Sequence, residues 1–335
     1  MEDSYMLTKR QNLLETIRGG NPDRFVNQYE AISFIFSNPI MAKRRRPSKG
    51  GEPVKDDWGV TFAFPDNVPG AFPVLDDEHK LVKDITRWKE TVHAPELIYP
   101  ESMWMEFKAK FCDTIDRNET FAAAMIAPGI FERSHNLMGM EDAMLAMYTE
   151  PEAYKELLNY LADWEVGFAR ETCKYMHPDA LFHHDDWGSQ INSFFSPEMF
   201  EEFFVPIYKR IYGAWREGGV ELIVHHSDSY CANLVPAMIE VGIDIWQGCL
   251  NTNDIPSLIK KYGGQISFMG NINNGIVDVH DCTPELVERE VRKSCESCGK
   301  HYFIPCMTAG GPGSTYPGVY DEATRCIDKM SKEMF

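Results

Sequence analysis

The sequence lacks any run near the ~18–20 apolar residues that a membrane-spanning helix needs. Its first residues, MEDSYMLTKRQNLL, contain no apolar signal core, so a cytoplasmic location without membrane association is expected. Basic residues are scarce: 33 Lys and Arg stand against 51 Asp and Glu, giving a formal net charge of -18. That balance argues against nucleic acid as a partner, because phosphate contacts need clustered cations. The one basic run, Lys43-Arg44-Arg45-Arg46 with Lys49, reads as a solvated loop, with contact to an acidic partner or substrate as the alternative. The nine cysteines follow no framework spacing. In a reducing compartment each is a core filler, a ligand or a nucleophile. Cys295-Glu296-Ser297-Cys298 has CxxC spacing, but it falls at an expected helix end without a second pair, and chance explains it. No dinucleotide or P-loop fingerprint follows any expected strand. Gly310-Gly311-Pro312-Gly313 comes nearest, yet Pro312 removes a donor and no Lys-Ser/Thr follows.

What is present is a chain of 335 residues, 44% of them hydrophobic, enough for one large core. Residues 1–78 form an irregular N-terminal segment. It holds an amphipathic helix at 7–18 (Leu7, Leu13, Leu14 and Ile17 on one face) and a turn at Asn21-Pro22 that leads into a first strand near Phe25. Residues 43–73 are rich in Pro, Gly and charge but carry Trp58, Phe62, Phe64 and Phe72, which suits a long functional loop or lid. Residues 79–335 form the main part of the domain. Helical periodicity at 79–92, 101–117, 130–148 and 151–176 alternates with apolar runs such as Phe121–Ile126 and Glu221–Val224. Met138, Met140, Met144 and Met147 fit the core face of such a helix. Ser196-Pro197-Glu198 and Thr283-Pro284-Glu285 are strong helix starts. Short strands alternating with helices predict βαβ units and a parallel sheet. A single (β/α)8 TIM barrel is favoured over a doubly wound sheet.

In such a barrel, polar residues just past the strand C-termini face the active site. Three clusters qualify. In His183-His184-Asp185-Asp186-Trp187-Gly188, strand alternation puts His184 and Asp186 on one side and His183 and Asp185 on the other. In His225-His226-Ser227-Asp228, a His-x-Asp at a strand end can hold a metal or form an acid/base pair, with Asp fixing the His tautomer. In Ile304-Pro305-Cys306-Met307, Cys306 ends the last strand, where a thiolate could complete a zinc site or the side chain could simply fill the core.

Ile223-Val224-His225-His226-Ser227-Asp228, followed by Leu234-Val235-Pro236 through Gly242-Ile243-Asp244, resembles the uroporphyrinogen-decarboxylase superfamily. Leu137-Met138-Gly139-Met140-Glu141-Asp142, Ser196-Pro197-Glu198 through Pro206, and Phe268-Met269-Gly270-Asn271-Ile272 fit its order and spacing, with Asn271 a departure. The resemblance runs over roughly residues 7–333. True decarboxylases of that superfamily carry an N-terminal Met-Arg-Gln-Ala-Gly-Arg segment whose arginines grip carboxylates. Near that place this chain offers only Arg24, and Glu30 would repel carboxylates. The other branch, zinc-dependent methyltransferases working with corrinoid proteins, has a His-x-Cys on one strand and a Cys near the last.

Here the resemblance places His226 as the His, Asp228 in place of the first Cys and Cys306 near the last, so His226, Asp228 and Cys306 are the expected Zn2+ ligands. A carboxylate in place of a thiolate makes a harder site, suited to an oxygen-bound methyl group. The aromatic-rich N-terminal segment (Phe25, Tyr29, Phe34, Phe36, Trp58, Phe62) is similar to methyltransferases of O-demethylase systems. The resemblance therefore implies a methyltransferase that moves a methyl group from a methoxylated aromatic to the Co(I) of a corrinoid (cobalamin) protein. Asp186, His184 and His226 would be catalytic, and Asn27, Tyr29 and Trp187 would contact substrate. A homodimer is compatible with it. The alternatives are a metal-independent decarboxylase and a non-catalytic tetrapyrrole- or corrinoid-binding protein.

Overall fold

A computed structural model describes residues 7–68 and 70–335. Its strands are β1 (Ile32–Phe34), β2 (Val54–Lys55), β3 (Thr61–Ala63), β4 (Phe72–Pro73), β5 (Phe121–Ile126), β6 (Ala180–His184), β7 (Leu222–His226), β8 (Ile245–Cys249), β9 (Ser267–Ile272) and β10 (Phe303–Met307). Seven of them, in the order β1-β5-β6-β7-β8-β9-β10, form one parallel sheet wrapped by helices, an α/β barrel of the TIM type. Side chains of alternate strand residues part into two cores, as strand geometry requires. Phe121, Ala123, Phe182, Val224, Ile245, Met269, Ile304 and Cys306 fill the inside. Ala122, Leu181, Ile223, Trp246, Phe268 and Phe303 face the surrounding helices.

The expected first strand near Phe25 makes no ladder; the first paired strand is β1, only three residues long. The gap beside β10 is bridged by Gln28 instead. Its backbone N–H donates to Pro305 O at 3.3 Å, and its side-chain carbonyl accepts from the Met307 N–H at 3.2 Å. Its Nε2 donates to Tyr320 O and Thr324 Oγ1 on the helix Val319–Met334. With φ at 53°, Gln28 has left the extended region, so the segment closes the ring through a side chain rather than a strand.

Other boundaries depart for local reasons. Residues 79–92 hold turns and a short 3-10 helix, Ile85–Glu90, rather than an α-helix. Asp76 and Asp84 draw nearby backbone N–H groups into turns that compete with it. The expected helix at 130–148 is two helices, Ile130–Met138 and Met140–Thr149, broken at Gly139 with φ at 95°. Ser196 and Thr283 cap the helices that their sequence context starts. The expected loop at 43–73 includes the small antiparallel sheet β2-β3-β4. Its Trp58 is buried edge-on against Trp164 of the long helix Pro151–Met176, with ring centroids 5.3 Å apart.

Candidate metal centre at the barrel mouth

β6 and β7 run in register, pairing His183 with His225 and His184 with His226. Because His184 and His226 share the phase of Phe182 and Val224, both project inward at the C-terminal end of the barrel. Their rings stack with centroids 4.3 Å apart. Asp186 follows β6 and completes a group of three. The ligand atoms of His184, Asp186 and His226 all lie within 4.8 Å of one another, the one such group of three or more among the described residues.

Hydrogen bonds fix which atoms this group presents. His184 Nδ1 lies 2.8 Å from Glu132 Oε2, and a carboxylate there accepts, so Nδ1 carries the proton. His226 Nδ1 bonds Gln247 Oε1. The amide orientation follows from its other end, since Gln247 Nε2 donates to Met307 O at 3.5 Å and Thr308 O at 3.4 Å. His226 Nδ1 is therefore also protonated, and Nε2 is the atom that each ring presents to the cluster, as a lone pair on His226 and on His184 once its second proton leaves. Carboxylate and amide groups that orient a histidine from behind are the usual support of a metal-ligating imidazole.

Two close approaches build these supports. Glu132 lies on the helix Ile130–Met138, whose first N–H groups meet the strand end across Gly129, where a Cβ would sit 2.6 Å from Asp185 Cβ. Gln247 precedes a bulge in β8 at Gly248 (φ 91°), where a Cβ would meet the Ser227 backbone at 2.9 Å.

The electrostatics are those of a cation site. Burial pulls His184 down, but the Glu132 hydrogen bond and charge, with Asp186 and Asp185, outweigh it and push its pKa up to about 9. His226 is lowered to about 4 by burial and then by the His184 cation, against Asp186 and Gln247. Asp228 is raised to about 7 by burial and by Asp186 and Glu132, with His184 opposing. Crowded carboxylates beside two imidazoles lack a compensating cation other than the His184 proton, and a divalent ion would replace that proton. Two imidazole nitrogens and one carboxylate oxygen with fixed tautomers fit a transition metal.

The expected ligand set is corrected in two places. His226 belongs to the cluster, but Asp228 and Cys306 do not join it within mutual ligand reach. Asp228 instead donates its backbone N–H to Asp186 Oδ1 at 3.0 Å. Cys306 faces the interior and is fully buried, which raises its thiol pKa strongly and keeps it a core residue. The other two members of the cluster are His184 and Asp186, which the resemblance gives as catalytic residues rather than as ligands.

The expected substrate contacts divide as well. Tyr29 lies at the interior with Phe34 and Phe182, ring centroids 6.0 and 6.2 Å away, and Phe182 is 5.9 Å from His226. Asn27 turns the other way, donating to Thr324 O at 2.9 Å and Asp328 Oδ1 at 2.8 Å. Trp187 is fully buried in the outer core and stacks on His225 at 3.9 Å, leaving no face for a ligand. Sequence reading missed Glu132 and Gln247. Neither belongs to a motif, and only the fold brings them behind the histidines. A cleft of about 640 Å3 lies elsewhere, between residues such as Lys55, Lys80 and Arg87. It contains none of the clustered ligands, so the chemistry of the strand ends decides the site.

The sequence model of the family described as uroporphyrinogen decarboxylase (URO-D) matches residues 56–327. No curated protein matches the chain in sequence. Among solved structures, a methyltransferase from Methanosarcina mazei superposes with a TM-score of 0.67 at 10% identity, covering 97% of this chain and 99% of its own.

Proposed function

The chain belongs to the uroporphyrinogen decarboxylase family, and within it we propose a metal-dependent methyltransferase that moves a methyl group from a methoxylated aromatic to the Co(I) of a corrinoid protein. The observation that carries this reading is the His184–Asp186–His226 cluster, with both Nδ1 atoms committed to Glu132 and Gln247. Those three side chains would hold Zn2+, which when bound supplies a Lewis acid for the ether oxygen. Glu132 and Gln247 keep the two rings in the tautomer and orientation that present Nε2. Tyr29, Phe34 and Phe182 form an aromatic wall beside His226 against which a substrate ring can lie. Asp228, anchored to Asp186, is the nearby carboxyl that can hydrogen-bond the departing oxygen. In the overall transfer the oxygen keeps the C–O bonding pair and gains a proton, while Co(I) supplies the pair for the new bond to methyl. The Methanosarcina mazei neighbour, itself a methyltransferase, is in keeping with this chemistry.

Porphyrinogen decarboxylation is the weaker reading. It brings a polycarboxylate to the mouth, and this mouth carries Glu132, Asp186 and Asp228. Arg24 is held by Asp23 at 2.7 Å, with Glu30 3.9 Å away. The test is metal analysis of the purified protein, followed by methyl transfer to a cob(I)alamin-loaded corrinoid protein across a methoxyarene panel. The proposal expects about one equivalent of zinc, lost in His184→Ala and His226→Ala, and a methylcobalamin spectrum that a chelator abolishes. Iron in place of zinc would replace the metal named here, since the same donors suit Fe(II). Full activity after complete metal removal would discard the mechanism.

A further inference from the structure

Four guanidinium groups converge on one recess on the outer side of the barrel, beside the buried His183–Glu165 pair. Arg44, Arg45, Arg46 and Arg133 line it together with Asp56 and Asp57. In a chain with a net charge of -18, such a concentration of one sign needs an explanation. Arg133 is only 4% exposed. Its guanidinium lies over Trp58 at 4.9 Å and near Trp164 at 5.8 Å. It donates one hydrogen bond, from Nη2 to Pro128 O at 3.3 Å, while its Nε has no partner. Arg44 donates from Nη1 to Ala127 O at 2.9 Å, but its buried Nε and Nη2 are also unpartnered. Arg45 and Arg46 make no hydrogen bond among the described residues and are exposed.

The acceptors do not match these donors. Asp56 Oδ1 is occupied by the N–H groups of Trp58 and Val60, both at 2.9 Å. Asp57 Oδ2 is unpartnered and lies 3.9 Å from Arg44 Nε, beyond a hydrogen bond. Glu165 offsets part of the Arg133 charge but does not line the recess and bonds His183 at 3.0 Å. Among the fully buried atoms of the lining, three donors therefore face one unpartnered acceptor, Asp57 Oδ2. A water could bridge Asp57 and Arg44, but it would bring no negative charge to the arginines. Burial first, and then the charge of Arg133, hold Arg44 down at about 10, so the guanidiniums repel one another as they stand. The recess itself is narrow and open on one side, so a ligand would meet the buried Arg44 and Arg133 nitrogens from the side where Arg45 and Arg46 are exposed. Lys43 and Lys55 line an adjoining cleft that shares Arg45, Asp56 and Asp57, extending the cationic approach.

We propose that this recess binds a phosphate group, either free inorganic phosphate or the phosphoryl end of a larger molecule. Planar guanidinium forks match phosphate oxygens bidentately, and phosphate supplies the acceptors and the charge that the recess lacks. The test titrates the whole protein with inorganic phosphate and, separately, with phenyl phosphate at constant ionic strength, using chloride as the control. Tryptophan fluorescence reads the binding, because Arg133 lies on Trp58 and Trp164. We expect a saturable response to phosphate and none to chloride, weakened at least about tenfold in R46Q and lost in R44Q. Arg46 is exposed and unbonded, so its replacement leaves folding intact and a weaker response reads binding alone. Phenyl phosphate binding as tightly as phosphate would assign the site to a larger phosphorylated ligand, and phosphate alone would assign it to the free ion. The proposal is overturned by no saturable response in either arm, by equal responses to phosphate and chloride, or by unchanged binding in both variants. R46Q should keep the wild-type metal content, so this outcome is independent of the metal centre.

Discussion

The ends of β6 and β7 carry the same residue types on both faces of the barrel wall, and the two faces do opposite things. On the outer face, His183, His225 and Asp185 are completely buried, and nearly all of their polar atoms are bonded to neighbours. His183 Nε2 is 3.0 Å from Glu165. His225 Nε2 meets the Asp185 carbonyl at 3.1 Å and must donate there, so its Nδ1 accepts from Tyr212 Oη at 2.8 Å. Asp185 accepts from Phe131 N at 2.9 Å, Glu132 N at 2.8 Å, Trp187 Nε1 at 3.2 Å and Tyr208 Oη. On the inner face, His184, Asp186 and His226 keep atoms free and close together. A one-residue shift in phase separates a structural network from a candidate metal centre. The two are coupled: Asp185 pins the start of the helix Ile130–Met138, and that helix carries Glu132 to His184.

The sharpest break in the comparison is His226→Ala. Methyl transfer should fall at least ~10³-fold and bound metal should vanish, because one of the three proposed ligands is gone. Stability should change by no more than about 2 kcal/mol, since the substitution leaves Gln247 Oε1 unpaired but removes a neighbour that repels protonated His184. Metal analysis, a methylcobalamin assay and urea unfolding check the three parts. A large loss of stability would mean that the inner face is structural too.

Asp185→Ala should show the reverse balance. It strands two N–H groups at a helix N-terminus together with Tyr208 and Trp187, all buried except the half-buried Glu132 N–H. A loss of about 3–5 kcal/mol in urea unfolding is expected. The variant that still folds should retain part of its metal, with weaker affinity because Glu132 is less well held. Complete loss of metal at unchanged stability would contradict the division of roles.

This division also shows how far the sequence could be read. Strand alternation alone separates His184 and Asp186 from His183 and Asp185, as the structure does. The parallel barrel follows from the β/α rhythm, and the cap at Ser196 and the strand Phe121–Ile126 stand where the pattern puts them. The membership of the cluster was not legible. Resemblance pointed to Asp228 and Cys306, but which strand ends meet depends on barrel stagger, which no local pattern encodes. Gln28 escaped for a related reason: its role is to join β10 to the helix Val319–Met334, nearly three hundred residues away. Long-range partners of this kind leave no spacing in the sequence.

A smaller effect should separate the supports from the ligands. Glu132→Gln and Gln247→Ala leave all three proposed ligands in place but release one ring each. Losses behind a metal ligand run about 10–100-fold in metal affinity or activity. Metal titration should show affinity reduced by that factor with stoichiometry still near one at saturation, which would distinguish both variants from His226→Ala. Stoichiometry near zero for Gln247→Ala would promote Gln247 from a positioning residue to a part of the site.

Trp187→Phe should have the smallest effect, and it tests the outer face directly. Sequence reading puts Trp187 against the substrate, whereas its ring is sealed between His225 and Phe200, with centroids 3.9 and 4.6 Å away. Phe keeps an aromatic face for His225 but loses the Nε1–H bond to Asp185 and some volume. One hydrogen bond and a small cavity together cost about 1–2 kcal/mol. The midpoint of urea unfolding should fall accordingly, while metal content and the KM for a methoxyarene stay at wild-type values. A raised KM at unchanged stability would place Trp187 in the substrate site after all. It would also mean that the wall between the two faces opens during turnover, because the ring has no route to the mouth while His225 and Asp185 hold it.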